Sequence, residues 1–149
     1  MAENTFHCSL VTPTEKLLDD EVTYTSVPAW DGLFGVLPRR APLLGRLGLG
    51  ELKISFPRQD GAAGGERSYL VDGGFVKMAD NKLTILAERA IPAEELTVSE
   101  AKAELAEAQA RVVPADATDQ VAQLAAVARD KARASMKLRL AHAVEKRGI

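Results

Sequence analysis

Asp31-Gly32-Leu33-Phe34-Gly35-Val36-Leu37-Pro38-Arg39-Arg40-Ala41-Pro42-Leu43-Leu44 is an apolar run punctuated by glycine and proline at fixed offsets. Gly32 and Gly35 can take positive φ or let another backbone approach closely. Pro38 and Pro42 fix φ and cannot donate to a sheet ladder, so each marks a strand end or a sheet edge. The stretch holds no catalytic side chain. Its order of residues predicts a shaped loop between extended segments, and the rest of the chain extends that reading in both directions.

Up to about residue 90 the pattern is of strands. Phe6, Cys8 and Leu10 alternate with His7 and Ser9, the period of a half-buried strand. Residues 22–27 read as one strand, with Val22, Tyr24 and Ser26 opposite Thr23, Thr25 and Val27. Leu47 and Leu49, then Leu52, Ile54 and Phe56, form an apolar set whose phase slips at Gly50-Glu51, as at a bulge or bend. Asp60 to Gly65 reads as a flexible hairpin connection. Tyr69-Leu70-Val71 follows, then an expected turn at Asp72-Gly73-Gly74, then Phe75 to Met78. Asp80-Asn81 turns the chain into Leu83 to Ala87. Short strands with frequent turns predict an antiparallel β-sandwich or barrel.

Beyond about residue 95 the period becomes helical. Val98, Ala101, Leu105, Ala108 and Val112 make one stripe, and Thr97 with Glu100 reads as a capping box. Pro114 to Thr118 forms a short connection. A longer helix then carries Val121, Leu124, Ala128, Ala132, Met136, Leu140 and Ala143 on one side, with Gly148 suiting its end. The short link predicts an antiparallel hairpin. The fold class is therefore α+β, with a β-sandwich over 1–90 and a helical hairpin over 91–149. The hairpin seam is rich in alanine, and each buried methylene contributes only about 0.8 kcal/mol, so moderate stability is expected.

Composition narrows the function. The 149 residues carry a net charge of −2. With a pI near 5.7 the chain as a whole is a poor polyanion binder. No run of 18 apolar residues is present, and the first five residues lack the start of a signal peptide. The expectation is a soluble cytoplasmic protein. A lone cysteine, Cys8, excludes an internal disulfide. His7 and Cys8 are neighbours on a strand and point to opposite faces, so they make no thiolate–imidazole pair. One Cys and two distant His, His7 and His142, are a poor zinc set. Gly61, Gly64 and Gly65 lack the Lys-Ser/Thr of a phosphate loop. Catalysis, metal and cofactor are therefore not expected.

Charge is arranged along the helices. Residues 94–120 hold seven carboxylates against two bases, net −5, and residues 121–149 the reverse, net +5. The plain account is mutual attraction along the hairpin, a weak latch since exposed pairs are worth about 0–1 kcal/mol each. The functional account is a basic helix able to exchange its partner for an acidic surface elsewhere. No aromatic residue interleaves with these charges, which disfavours nucleic acid.

Gly32, Gly35, Val36, Pro38, Ala41, Pro42, Leu43 and Leu44 resemble the Gly-x-Leu-Gly-Ile-x-Pro-x-His-Ala-Pro-Leu-Leu pattern of the epsilon subunit family of the rotary ATP synthase. Tyr69 to Val76 is similar to that family's Tyr-Leu-x-Gly-Gly segment, and Leu83 to Ala90 to its Val-Thr-Val-Leu-Ala strand. The resemblance spans nearly the whole chain. It implies a ten-stranded sandwich that clasps the gamma subunit and rests on the c-ring, as a central-stalk rotor part without catalytic residues. It further implies a hairpin that extends towards the alpha and beta catalytic subunits and inhibits ATP hydrolysis. Such a protein sits on the cytoplasmic face of the bacterial inner membrane, touching the membrane through the complex.

On that resemblance the interface residues are Asp31, Gly32, Leu33, Gly35, Pro38, Arg39, Arg40 and Pro42, with Arg40 standing where the family usually has His. Arg129, Arg133, Lys137 and Arg139 are the inhibitory contacts. Many members bind ATP through Ile/Leu-Asp-x-x-Arg-Ala. Here the motif is degenerate at Leu96, Thr97, Glu100 and Ala101, and Glu100 places a carboxylate where a phosphate donor is needed. No ATP binding is expected. A nucleotide-sensing module, with ATP holding the hairpin folded, is the alternative.

Overall fold

The computed structural model describes residues 4–58, 64–116 and 118–147. The chain forms two compact units, Met1–Pro92 and Ala93–Ile149. The first holds eight strands: β1 (Phe6–Val11), β2 (Lys16–Val22), β3 (Tyr24–Ala29), β4 (Gly32–Val36), β5 (Leu43–Arg46), β6 (Leu49–Ser55), β7 (Glu66–Ala79) and β8 (Lys82–Pro92). They are hydrogen-bonded in the order β2-β1-β8-β7-β6-β3-β4, with β5 also on β7. All pairings are antiparallel except β1 with β8, which is parallel.

Ten strands are implied by the resemblance and eight are found among the described residues, because two of them serve twice. β7 pairs with β6 through residues 66–72 and with β5 through residues 75–78. β8 pairs with β1 through residues 82–86, and its far end, to Pro92, lies against the start of β7. The sheet therefore folds into two layers of five segments. One layer is β2, β1, the first half of β8, the second half of β7, and β5. The other is the remaining halves of β8 and β7 with β6, β3 and β4. Their inward faces share one core, with Phe6, Leu10, Met78, Leu83 and Ile85 from the first layer and Val27, Val36, Leu52, Ile54 and Val71 from the second. Each large apolar side chain so buried contributes about 1.5–3 kcal/mol.

Gly73 and Gly74 mark the crossing, not a reversal of the chain as the sequence suggests. Both have positive φ, 77° and 120°, and β7 runs on through them. A Cβ on Gly74 would lie 2.0 Å from the Leu86 carbonyl oxygen of β8. The phase slip expected at Gly50-Glu51 lies instead at Gly48, since β6 pairs evenly with β7 from Leu49 to Ser55. A Cβ on Gly48 would sit 2.7 Å from the Ala29 carbonyl oxygen. The strand expected over 22–27 is broken at Thr23, whose N–H and hydroxyl both donate to the Ser55 carbonyl at 2.9 and 3.2 Å. Val22 is consequently buried while Tyr24 is exposed and Thr25 and Val27 point inward. Asp80-Asn81 does turn the chain, with φ of 52° and 59°. The expected connection from Asp60 to Gly65 falls largely outside the described residues.

The second unit is a hairpin of α1 (Val98–Ala110) and α2 (Gln120–Arg147), preceded by a short helical turn at Ala93–Glu95. Thr97 caps α1, its side chain accepting from the Glu100 N–H at 3.3 Å. α1 ends two residues earlier than the stripe suggests, and Val112 is exposed. Lys137 bonds Glu104 at 2.9 Å and Arg111 pairs with Asp130, two contacts in one antiparallel register. Ala101 and Ala108 are buried, as are Ala134, Leu140 and Ala141 on α2. Half of the expected α2 stripe is not in the seam: Val121 is 83% exposed and Leu124 52%, and Ala128 and Ala132 are exposed too. Two causes act. At 1.5 Å per residue, 13 residues of α1 cannot cover the 28 of α2, whose first turns extend past Arg111. Where the helices do overlap, the seam runs through Ala134 and Ala141, which leaves Ala132 on the outer side. Gly148 lies outside the described residues.

The Gly74→Ala chain should lose about 3 kcal/mol in thermal unfolding, since the substitution combines a left-handed backbone with a clash against backbone. Gly32→Ala, with φ of 134° but nothing within 4 Å of the new Cβ, should lose clearly less.

Candidate functional site

The 31–44 stretch comprises β4, a turn, and the start of β5. Val36 anchors it in the core with Phe34 and Leu43 packed alongside, while its other large apolar side chains are turned outward. Leu33 and Leu37 are exposed, Leu44 is 77% exposed and the preceding Trp30 70%. Large apolar side chains exposed this close together in the chain are what an interaction surface needs. The eight residues expected at an interface lie on one continuous segment. Asp31, Gly32, Leu33, Gly35, Arg39, Arg40 and Pro42 are exposed and Pro38 is half-buried. Gly32 uses its freedom for a φ of 134°. At Gly35 the requirement is space, because a Cβ would fall 2.4 Å from the Tyr24 hydroxyl.

A single side chain sets the loop's position. Asn81, in the β7–β8 turn, accepts from the Arg39 N–H at 2.7 Å and donates to the Thr5 carbonyl at 2.9 Å. Its own carbonyl accepts from the His7 N–H at 3.1 Å. Arg39 itself is left-handed, with φ of 64°, and Arg40 N–H closes a turn onto the Leu37 carbonyl. The loop is thus tied to the first strand and to the far hairpin at once. On β2, Lys16 at 3.1 Å and then His7 hydrogen-bond Asp19 and hold its carboxyl below the ordinary range.

A second surface was not read from the sequence. Val11, Thr12, Pro13, Phe75, Leu86 and Glu88 line an open groove of about 290 Å³. Phe75 and Leu86, 58% and 51% exposed, are direct cross-strand neighbours. The signal was present in the alternation: Val76 and Met78 point inward, so Phe75 must point out.

In the hairpin, the four cations divide. Arg133 and Lys137 lie half-buried against Asp130 and Glu104, at 3.2 and 2.9 Å, while Arg129 and Arg139 are exposed. Together with Glu107, Ala108, Arg111 and Ala134, Asp130 and Arg133 line a cleft of about 170 Å³. Of the degenerate motif, Thr97 serves as the cap, Ala101 is buried, Leu96 is half-buried and Glu100 is exposed. Reactive chemistry is not assembled. Cys8 is fully buried, and burial pushes its thiol up to about 12. Among the described residues no group of His, Cys, Asp or Glu is placed to hold a metal ion.

A two-layer β unit with a pinned loop that exposes apolar side chains, followed by a charged helical hairpin, is the architecture to which comparisons with known proteins speak. The sequence pattern of the ATP synthase Delta/Epsilon chain beta-sandwich domain matches residues 5–93. The ATP synthase epsilon chain of Solibacter usitatus is 37% identical over 131 residues, covering 87% of this chain and 93% of that one. That of Rhodopirellula baltica is 41% identical over 101 residues, covering 68% and 74%. A chain in the Euglena gracilis mitochondrial ATP synthase, solved as OSCP/F1/c-ring, shares the fold with a TM-score of 0.67 at 20% identity, covering 100% of this chain and 84% of its own. The chain belongs to the epsilon-chain family of the F-type ATP synthase.

Asn81→Gly keeps the left-handed backbone and removes both side-chain bonds. It should cost about 1–3 kcal/mol and speed amide exchange at Arg39, measured by NMR, while leaving exchange in β6 unchanged.

Proposed function

We propose that the chain is a non-catalytic central-stalk subunit, a rotor part that clasps the gamma subunit, rests on the c-ring and couples ring rotation to the catalytic head. The observation that carries this reading is the 31–44 loop, exposed and apolar yet fixed by Asn81. A contact that transmits force needs shape and a stiff attachment, not a reactive group. Arg39 and Arg40 reach polar groups of the partner there, and the Phe75–Leu86 groove offers gamma a second, apolar hold. Among the described residues no helix is long and apolar enough to cross a membrane. On the rotor reading the subunit is held peripherally, through the complex, at the cytoplasmic face of the bacterial inner membrane.

The hairpin supplies regulation. Arg133 and Lys137 have acidic partners at rest, half-exposed carboxylates whose pairs are open to solvent on one side. An acidic segment of the catalytic subunits can replace those partners at little cost, with Arg129 and Arg139 joining the contact. The alanine seam makes opening easier still. ATP does not hold this hairpin closed, because Glu100 presents a carboxylate where the nucleotide motif needs a donor for phosphate.

Hydrolysis by the assembled catalytic head should be faster with a chain ending at Pro92, the end of β8, than with the full chain, and equal rates would remove the inhibitory role. Loss of proton coupling when the β unit is omitted is expected from the clasp. Isothermal titration of the full chain with ATP should give no binding heat; a micromolar Kd would overturn the account of the degenerate motif.

A further inference from the structure

The end of the β unit that carries the Asn81 turn has charge which the loop contact leaves unused. Lys77 of β7 faces Thr84 across the ladder, and Lys82 of β8 faces Ala79, so both lysines leave the same outer face. With Ala79, Asp80 and Thr84 they line an open, polar cleft of about 270 Å³. The Asn81 bond brings Arg39 to the same turn, with Arg40 beside it. All four cations are exposed, and among the described residues none of them forms an ion pair. Asp80 is the one carboxylate in the cleft lining. The nearby acids of β2 are directed elsewhere, since Asp19 takes Lys16 and His7, and Glu21 lies towards the other ring nitrogen of His7.

Apolar side chains stand among these cations. Leu44 is the β5 neighbour of Lys77, and both it and Leu37 are exposed. Leucines flanked by lysine and arginine on one end of a rigid unit match a bilayer interface, where the leucines enter the headgroup boundary and the cations meet phosphates. The cleft is open and its lining contains no aromatic ring to stack a base, which argues against a nucleotide.

We propose that this cleft binds the phosphate of an anionic lipid headgroup, with Lys77 and Lys82 on either side of the phosphate and the Thr84 hydroxyl as a further donor, Arg39 and Arg40 being left to the loop contact. The subunit then touches the bilayer directly, in addition to any protein contact made by the loop. The inference stands on this surface of the isolated chain and does not depend on the rotor assignment.

Co-sedimentation of the full chain with vesicles tests it. Phosphatidylcholine vesicles should leave the chain in solution, while vesicles of phosphatidylcholine mixed with phosphatidylglycerol should carry it down, less so as salt is added. The K77Q/K82Q chain should show a loss in partitioning of about 30-fold, with an unchanged unfolding midpoint. The K102Q/K131Q chain removes the same charge from the hairpin and should bind as the parent does. Equal binding to both vesicle types, or unaltered binding of K77Q/K82Q, overturns the proposal. Loss in K102Q/K131Q alone overturns it by assigning the contact to the helices. Release of the bound chain by millimolar inorganic phosphate at constant ionic strength would mean a free-anion site and also overturns it. No sedimentation with either vesicle overturns it in favour of an acidic protein partner.

Discussion

The β unit depends on one backbone crossing. For a single strand to serve two layers, its chain must turn out of one sheet and into the other without losing its ladder. Gly73 and Gly74 do this with left-handed φ, packed so close to β8 that no side chain fits at Gly74. The ladder survives because Gly73 N–H donates to the Gly48 carbonyl and Leu47 N–H to the Gly74 carbonyl. β5 and β6 are thereby aligned as successive partners of one long strand. The shared core, the place where β5 begins, and hence the attitude of the 31–44 loop all follow from this geometry.

The strand half of the fold was legible wherever one face is buried and the other wet. β1 alternates cleanly, and β8 shows its inward Leu83, Ile85 and Ala87. The misread places share a cause: the local signal is the same for two structures and a distant partner decides between them. Asp72-Gly73-Gly74 has the composition of a hairpin turn, yet the bonds to Gly48 and Leu47 keep it a strand. Thr23 looks like a strand residue, and the Ser55 carbonyl makes it a break. β2 was not recognised because Asp19, Asp20 and Glu21 interrupt the pattern on an edge strand, where charge is tolerated and guards against pairing with another chain. In the hairpin, an alanine-rich sequence gives several equally apolar stripes, and the reach of α1 together with the rotation that pairs Asp130 and Lys137 with it selects among them.

The shape of the 31–44 loop was legible because its residues are contiguous. Glycine and proline reported its shape, although the sequence did not separate Val36, which enters the core, from Leu33 and Leu37, which do not. The Phe75–Leu86 groove and the lysines of β7 and β8 were not, since each is assembled from separate strands by register. Asn81 belongs to the same class: as sequence it is a turn residue, and its hold on Arg39 and Thr5 exists in three dimensions alone. The division of Arg129, Arg133, Lys137 and Arg139 into exposed and engaged pairs likewise needed the helix register.

The burial of Cys8 has a practical consequence for following this subunit at work. Its sulfur sits among core side chains as an unreactive thiol, and the chain contains no other. A cysteine introduced at an exposed position such as Leu37 would therefore be the single accessible nucleophilic sulfur. Fluorophores, spin probes or crosslinkers could be attached there under native conditions without first removing the natural residue, and the packing around β1 would stay intact.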